Sequence, residues 1–299
     1  MCCQQGWGSV SGLTSAAMPS LTVVGSVNLD LVMRVARLPV AGETVTDGKF
    51  SRHPGGKGAN QALAAKRLGA SVRLVAAVGD DESAQAALVL LHAAGVDLSG
   101  CRADETNPTG VAMILVDSQG ENQIAVAPGA NRTLTAAALE LSEAEAVLCQ
   151  LEIPMKTVDA AAAAAKGFFC LNAAPARKVS AETLARADLV VVNEVEHEAL
   201  GADLGAVRGL LAVTSGGEGA TLYRQGSVVA TAAPPPVTVI DTVGAGDCFV
   251  AALAVGLLDG LAPDRALRRA VIAGALATTR EGAQESMPTA AQVDALMPQ

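Results

Sequence analysis

A polar turn with two glycines runs directly into an apolar helical pattern near the end of the chain. The turn is residues 241–247 (DTVGAGD), and the helical pattern follows without a break at residues 248–255 (CFVAALAV). At such a junction several backbone N–H groups have no partner within the helix, and the positive end of the helix dipole points at the same place. The junction therefore predicts an anion site that suits a phosphate group.

Asp247 adds a carboxylate to the first turn of this predicted helix. The helix start stabilises the ionised form, which can accept the proton of an attacking alcohol. An anion site beside a base suits phosphoryl transfer, because the charge of the transferred group must be held while the acceptor hydroxyl loses its proton. The alternative is an ordinary loop-to-helix junction, with glycines for close packing and Asp247 as the cap.

The charge and the apolar pattern of the chain exclude several classes of partner. A net charge of −9 argues against a nucleic-acid-binding surface, since most of the surface would repel phosphates, so any phosphate site must be local. No apolar run reaches the ~18 residues that a membrane-spanning helix needs. The six cysteines show no metal-binding spacing and fit free thiols in a reducing compartment. We therefore predict a cytoplasmic protein.

Strand and helix patterns alternate along most of the chain, which predicts an α/β fold: three α/β/α layers around a mostly parallel central sheet. Residues 1–20 lack hydrophobic periodicity and predict a disordered N-terminal extension, followed by a single domain at 21–299. Segments at about 31–54 and 107–130 have the patterns of short strands, with a clear hairpin at 110–126. They predict a small separate β-sheet that covers a site as a lid. Extra edge strands on the main sheet are the alternative.

Polar side chains follow two predicted buried strands. Asn28 and Asp30 follow the strand that begins at Leu21, and Glu152 follows the strand at 146–151. Open α/β sheets bind ligands in the crevice at the carboxyl ends of their strands, so we expect these three side chains there. For Asn28 and Asp30, a turn with local side-chain hydrogen bonds is the alternative.

A glycine-rich turn at residues 54–58 (PGGKG) leads into a helix that closes at Gly69. It is not a Walker A loop, because Lys57 is followed by Gly58 where that motif has Ser or Thr. Glycines allow the backbone to approach a ligand closely, and Lys57 and Asn60 can hydrogen-bond hydroxyls, which suits a polyol. Helix packing alone is the alternative.

Two further segments are candidates for the nucleotide side of a site. Asn193 and Glu196 open a helix three residues apart, a spacing that could hold hydrated Mg²⁺ through water or could simply form a capping box. Residues 215–219 (SGGEG) follow a strand at 210–214 and could wrap a nucleotide with backbone alone, although a plain β-turn is the simpler interpretation.

Five of these motifs occur in one order along the chain, from about residue 21 to residue 297. They are residues 25–30 (GSVNLD), 55–61 (GGKGANQ), 150–152 (QLE), Asn193 with Glu196, and 241–247. In this set and order the chain resembles the ribokinases of the PfkB carbohydrate kinase family. The resemblance implies a ribokinase-like fold and an ATP-dependent sugar kinase.

The resemblance also implies roles for individual residues. Asp247 would be the catalytic base, and the amides of Gly244, Ala245 and Gly246 would form an anion hole for the γ-phosphate. The implied sugar contacts are Asn28, Asp30, Gly56, Lys57, Gly58, Ala59, Asn60, Glu152 and Asp247. The implied ATP contacts are Asn193, Thr214, Ser215, Gly216, Gly217, Glu218, Gly219, Gly246 and Asp247. Glu196 would act on Mg²⁺ through water, and an activating K⁺ would be held by Asp241, Val243, Ala277, Arg280, Gly282 and Ser286.

The reaction implied by the resemblance is phosphorylation of D-ribose at its 5-hydroxyl, in a homodimer that pairs through the lid. The same chemistry on deoxyribose, fructose or a nucleoside is an alternative, and a non-catalytic sugar or nucleotide sensor is another. Three features depart from the family pattern. Ala173 stands where the family usually has proline. Val271 stands where an Asn or His near adenine is common, and the segment at 200–210 is shorter than the usual helical connection.

Overall fold

The computed structural model describes residues 18–298, and these form two β-sheets with helices around the larger one. The larger sheet has nine strands within the described residues, in the order β13-β12-β11-β10-β9-β8-β1-β4-β5. Its strands are β1 (Ser20–Val24), β4 (Ser71–Gly79), β5 (Asp97–Asp104), β8 (Ala146–Cys149), β9 (Phe168–Asn172), β10 (Leu189–Asn193), β11 (Leu210–Thr214), β12 (Ala220–Arg224) and β13 (Ser227–Ala232). Neighbours from β11 to β5 pair in parallel, and β12 and β13 add an antiparallel hairpin.

The second sheet is the lid, with the strand order β3-β2-β6-β7. Its strands are β2 (Asn28–Arg34), β3 (Lys49–Gly55), β6 (Gly110–Val116) and β7 (Asn122–Ala127). The helices are α1 (Lys57–Arg67), α2 (Glu82–Ala94), α3 (Met155–Ala164), α4 (Ala181–Arg186), α5 (Glu194–Leu200), α6 (Ala245–Leu258), α7 (Pro263–Ala277) and α8 (Ala290–Asp294).

Both faces of the large sheet are covered by helices and buried. Since successive side chains of a strand point to opposite faces, a single strand can contribute to both apolar clusters. In β4, Leu74 and Ala76 join one apolar cluster with helices α1, α6 and α7, whereas Val75 and Ala77 join the other with α3 and α4. Helix α6 is buried from Asp247 to Gly256, as expected of a helix packed between a sheet and its neighbours. The predicted three-layer α/β/α fold is confirmed.

The order of the strands reverses between β8 and β1. From β1 the chain continues outward through β4 to β5, whereas β8 leads outward through β9 and β10 on the other side. Ligands of open α/β sheets bind where the strand order reverses, outside the carboxyl ends of the strands. Val24 pairs with Cys149 at this point, so the segments that follow β1 and β8 leave the sheet side by side.

The lid is a separate sheet, so the alternative of extra edge strands is wrong. Asn28 and Asp30 follow β1 as predicted but lie within the first lid strand, β2, so the alternative of a turn with local hydrogen bonds is wrong. Asn28 pairs with Gly55 and with Gly110, because β2 is one of the two inner strands of the lid. The chain therefore enters the lid directly above the point where the strand order reverses.

Several elements differ from the sequence prediction. Strand β5 was missed because its sequence (DLSGCRAD) is polar and lacks alternation, although it pairs in parallel with β4. The short helix α4 was also missed. In the segment at 200–210, α5 continues into a 3₁₀ turn at Gly201–Ala206 before β11. The predicted disordered extension lies mostly at residues 1–17, outside the described residues, and β1 begins at Ser20. Among residues 18–298, no helix is long and apolar enough to cross a membrane.

Candidate active site

The turn before α6 leaves backbone donors open at the helix start. Gly244 is the N-cap and has a φ of 80°, a left-handed conformation that favours glycine. Gly246 is exposed, and no atom lies within 4 Å of the place where its Cβ would stand. Ala245 N–H donates to the Thr242 carbonyl at 3.3 Å, whereas residues 18–298 offer no acceptor to the N–H groups of Gly244 and Gly246. The geometry suits an anion site at this helix start.

Asp247 lies just inside this turn, with its side chain 7% exposed. One carboxylate oxygen accepts a hydrogen bond from Asn60 Nδ2 at 2.9 Å, and the other accepts one from Gln61 Nε2 at 2.9 Å. Burial raises the pKa of Asp247 above its ordinary value, while Lys57 and these two hydrogen bonds act to lower it. The charged form of this buried carboxyl is therefore partly stabilised by Lys57, Asn60 and Gln61. Such an environment suits a general base.

Lys57 supplies the positive charge of the site. It is the first residue of α1, and attraction to Asp247 is the largest cause that raises the pKa of its amine. Burial opposes this effect, and the carboxylates of Glu152 and Glu196 add to it. The four charged groups thus share one cleft between the helix starts of α1, α5 and α6.

Glu152 links the two strands at the reversal point. Its carboxylate accepts a hydrogen bond from the Ser26 hydroxyl and another from the backbone N–H of Lys57 at 3.0 Å. The adjacent β1 and β8 bring these residues together although they are far apart in sequence. Glu152 also satisfies an unpaired donor at the start of α1, so it fixes the glycine-rich turn in place.

Asp30 and Asn28 reach the cleft from the lid. Burial raises the pKa of Asp30 to about 7, with Glu152, Asp247 and Glu285 adding to the effect and His53 opposing it. Asn28 is buried, and its Oδ1 accepts from Asn131 Nδ2 at 2.8 Å, which leaves its amide nitrogen as the group that can donate.

The glycines around Asp30 and Lys57 serve two different purposes. A Cβ at Gly55 would come within 2.2 Å of the Asp30 carboxylate, so only glycine leaves room for that side chain. A Cβ at Gly58 would lie 2.5 Å from the backbone of Gly25, so Gly58 allows α1 to pack against the end of β1. Ala59 takes part in the same contact through its N–H, which donates to the Ser26 carbonyl. For Gly58 and Ala59 the structure shows the packing role, and their contact with a sugar stays a prediction.

The nucleotide candidates lie along the ends of β10 and β11. Asn193 and Thr214 are neighbours in the parallel pairing of these strands. The capping box is confirmed: Asn193 Oδ1 accepts from Glu196 N–H at 2.8 Å, and Glu196 Oε2 accepts from Asn193 N–H at 2.9 Å. Glu196 nevertheless contributes to the electrostatic environment of both Lys57 and Asp247. Residues Gly216–Glu218 form an exposed 3₁₀ turn beside this edge.

Asp241 joins the turn before α6 to the segment after α7. Its carboxylate accepts from Val243 N–H at 3.1 Å and from Gly282 N–H at 3.0 Å. Ala277 and Ser286 are buried in the same region, whereas the Arg280 side chain is exposed. In the described part of the chain, no three His, Cys, Asp or Glu side chains are grouped so that they could hold a metal ion. The ligand atoms available at this place are the Asp241 carboxylate and backbone carbonyls, with the Glu285 carboxylate close to Gly282.

Comparison with known proteins gives the family. The sequence pattern of the pfkB family carbohydrate kinases matches residues 18–290. The chain is 40% identical to the ribokinase of Bacillus subtilis (strain 168) over 294 residues, which cover 94% of this chain and 100% of that protein. The chain belongs to the PfkB family of carbohydrate kinases.

Solved structures of this family superpose closely. The Thermotoga maritima ribokinase has a TM-score of 0.85 at 31% identity, with 93% of this chain and 99% of that chain covered. The Arabidopsis thaliana ribokinase complexed with ribose and ATP has a TM-score of 0.84 at 29% identity, with 95% and 100% covered. This PfkB kinase is an enzyme that carries out ATP-dependent sugar phosphorylation of the ribokinase type.

Sequence reasoning missed the polar residues that hold the catalytic candidates. Gln61 and Gln150 lay within recognised motifs and received no role. Asn131, Asn172 and Gln284 received none either, yet all five are buried and hydrogen-bonded near the cleft. The local signal, an amide side chain in an otherwise apolar segment, exists for Gln61, Gln150 and Asn172 and is missing for Asn131 and Gln284. Val271, noted for its departure from the family, is 5% exposed and packs in the core on α7.

Proposed function

We propose that this kinase phosphorylates D-ribose at its 5-hydroxyl with ATP, and that Asp247 is the general base. The observation that carries the proposal is the placement of a buried, hydrogen-bonded carboxylate directly inside a helix start whose N–H groups at Gly244 and Gly246 are open. The oxygen of the 5-hydroxyl would attack the γ-phosphorus and form the new P–O bond. The bond to the β-phosphate oxygen would break, ADP would leave, and the proton would pass to Asp247.

The anion hole and Lys57 would supply the electrostatic part of catalysis. Open N–H groups of the turn would hold the charge on the transferred group, and the Lys57 amine would balance the carboxylates around it. Because Ala245 N–H is partly engaged with Thr242, Gly244 and Gly246 are the stronger candidates for donors. The lid would exclude water from this reaction once the sugar is bound.

The acceptor would lie between the lid and α1. Asn28 and Lys57 can donate to hydroxyls, and Asp30 and Glu152 can accept from them. Asn60 and Gly56 would complete the sugar end of the cleft. This dense set of polar groups favours a small free sugar over a nucleoside, and the chain has only one Trp and one Tyr with which to stack a base.

ATP and the cations would occupy the other side. Asn193, Thr214 and the loop at 215–219 would contact the nucleotide, and Glu196 would act on Mg²⁺ through water. Oε2 of Glu196 is engaged by the capping box, which leaves Oε1 for that role. Mg²⁺, when bound with ATP, neutralises phosphate charge. Asp241 and carbonyl groups at Val243, Ala277, Arg280, Gly282 and Ser286 fit a monovalent cation, which would stiffen the turn that carries the anion hole.

A homodimer would form through the lid. In the lid register Asp30 lies beside Ala112, and Ala112 beside Val126, so these residues share one face. Ile124 and Val126 are 57% and 56% exposed on this face. A second lid packed against them would bury both side chains and cover the sugar end of the cleft. Light scattering should show a shift from dimer to monomer for Ile124→Glu. The control Val89→Glu, at an exposed position of α2, should stay a dimer. This pair of results would support the interface.

The substrate is tested by measuring ATP consumption against ribose, deoxyribose, fructose and nucleosides, with and without potassium. The proposal expects the highest kcat/KM with ribose and stimulation by potassium. Turnover with nucleosides alone would contradict the assigned acceptor, and a rate independent of potassium would contradict the cation site. The sensor alternative expects binding without turnover for every member of the panel.

A further inference from the structure

Two neighbouring carboxamides of α1 hold the two oxygens of Asp247. Asn60 Nδ2 donates to one oxygen and Gln61 Nε2 to the other, each at 2.9 Å. A carboxamide can rotate by half a turn and present its oxygen instead of its nitrogen. An oxygen facing the Asp247 carboxylate would repel it, so the orientation of both amides matters.

A second pair of carboxamides helps to fix this orientation, together with Asn172, whose Oδ1 accepts a hydrogen bond from Gln61 Nε2 at 2.9 Å. Gln150 Nε2 donates to Gln61 Oε1 at 2.6 Å, and Gln284 Nε2 donates to Asn60 Oδ1 at 3.1 Å. Since each inner oxygen accepts a hydrogen bond from behind, each inner nitrogen faces Asp247. We refer to Gln150, Gln61, Asn60 and Gln284 as the carboxamide chain. Its hydrogen bonds converge on Asp247 from both sides.

Burial of the two outer glutamines of the carboxamide chain, Gln150 and Gln284, destabilises the folded protein. Gln150 and Gln284 are both 0% exposed, and the Oε1 atom of each is buried without a hydrogen-bond partner among residues 18–298. A buried polar atom without a partner is destabilising, so packing alone would favour an apolar side chain of similar shape. What each outer glutamine does contribute is one N–H donor, aimed at the oxygen of an inner amide.

We propose that Gln150 and Gln284 are positioning residues: they orient the amides of Gln61 and Asn60, and through them hold the Asp247 carboxylate for proton transfer. The inference rests on the proposed role of Asp247 as the base. Neither outer glutamine touches Asp247, and neither is among the residues assigned to sugar or ATP. Their loss therefore lowers kcat and has little effect on the binding of ATP. Because Gln284 holds Asn60, a proposed sugar contact, only the loss of Gln150 should leave sugar binding unchanged as well.

The test compares Gln150→Met and Gln284→Met with the unchanged enzyme. Each variant should lower kcat about fivefold, the factor that corresponds to one hydrogen bond of ordinary net strength, with the KM for ATP within about twofold. The KM for the sugar should also stay within about twofold in Gln150→Met. Each should also move the acid limb of the kcat profile to higher pH, because an amide that is held less firmly stabilises the ionised form of Asp247 less well.

Other charged groups also face Asp247 and could contribute to the acid limb. From the elements packed around it they are Lys57 on α1, Asp30 on β2, Glu152 after β8 and Glu196 on α5. The neighbouring Cys248 thiol on α6 stays neutral, since burial raises its pKa to about 12. Asp30, with a pKa of about 7, is the main competitor. The shift must therefore persist when the outer variants are made in an Asp30→Asn background.

Thr157→Val is the matched control for lost buried hydrogen bonding. Thr157 is 1% exposed and donates to the Leu134 carbonyl at 2.6 Å on the opposite side of the sheet. It should lower the melting temperature without moving kcat or its acid limb. If Gln150→Met and Gln284→Met behave in the same way as this control, the positioning role is wrong.

Asp247→Asn separates this inference from the proposed function. Loss of turnover in Asp247→Asn, with normal rates in both outer variants, would overturn the positioning role and leave Asp247 as the base. Full turnover in Asp247→Asn would overturn both. If one outer variant does not fold, the other still decides the outcome, since they act on opposite oxygens of Asp247.

Discussion

Replacing Gly244 by alanine tests whether the turn before α6 works through its backbone geometry. Gly244 has a φ of 80°, and an added Cβ would lie 2.9 Å from Ala283 Cα and 3.0 Å from both Ala283 Cβ and its carbonyl oxygen. The left-handed conformation alone costs an alanine ~1–2 kcal/mol. The contact with Ala283 adds to this cost, so the turn must move away from the segment after α7.

Gly260→Ala is the matched control for this strain. Gly260 follows α6 with a φ of 77°, and no atom lies within 4 Å of its virtual Cβ. It carries the same conformational cost without the collision and lies at the far end of the helix from the turn. Both variants should therefore lose stability in thermal unfolding, with the larger loss in Gly244→Ala.

Turnover should separate the two variants. Displacement of the N–H donors at Gly244 and Gly246 should lower kcat in Gly244→Ala by about 10²-fold, which is typical for the loss of one donor to a developing anion. Gly260→Ala should keep the unchanged kcat. Steady-state assays at saturating sugar and ATP measure this difference. Equal kcat values for the two variants, at a temperature where both are folded, would refute the role of the turn as an anion hole.

Three further predictions concern charge and capping. Asp30→Asn should raise the melting temperature at pH 8 and leave it unchanged near pH 3. The folded pKa of Asp30, about 7, lies above the unfolded value of 3.8, so the stability that protonation supplies is lost as the pH rises through 7. A melting temperature that rises equally at both pH values would contradict this. The same substitution should lower kcat/KM for the sugar most strongly above pH 7, where the native carboxylate is ionised, and an equal loss at pH 6 and pH 8 would count against a sugar contact. Glu196→Gln should keep the melting temperature, since its amide oxygen can still accept from Asn193 N–H. It should raise the Mg²⁺ concentration needed for half-maximal rate. If Glu196→Gln and the control Glu194→Gln show the same Mg²⁺ dependence, Glu196 acts only as part of the capping box.

Much of the fold could be predicted from the sequence because its signals are local. The alternation of apolar strands with helices identified the three-layer core, and the hairpin at 110–126 identified half of the lid. Strand β5 escaped because pairing with β4 stabilises it without an apolar pattern of its own. Asn28 and Asp30 were placed at the end of β1 because the lid was predicted to begin only at about residue 31, whereas its first strand already begins at Asn28.

The candidate site was predictable only in part. Asp247, Lys57 and Glu152 follow local rules, since each lies at a helix start or after a strand. Their supporting residues follow no such rule, because Gln61 is separated from Asp247 by 186 positions and Gln284 from Asn60 by 224. Only the packing of α1 against α6 and the segment after α7 brings these amides together.

The central claim is that a carboxylate at position 247 accepts the proton of the sugar hydroxyl. Asp247→Asn keeps the size of the side chain and removes the base, and its single amide oxygen can accept from only one of Asn60 and Gln61. Single-turnover measurement of phosphoryl transfer, with sugar and ATP affinities determined separately by calorimetry, tests the claim most directly. The account predicts a fall in the transfer rate of about 10²-fold or more with affinities changed little. A transfer rate within about twofold of the unchanged enzyme would contradict it.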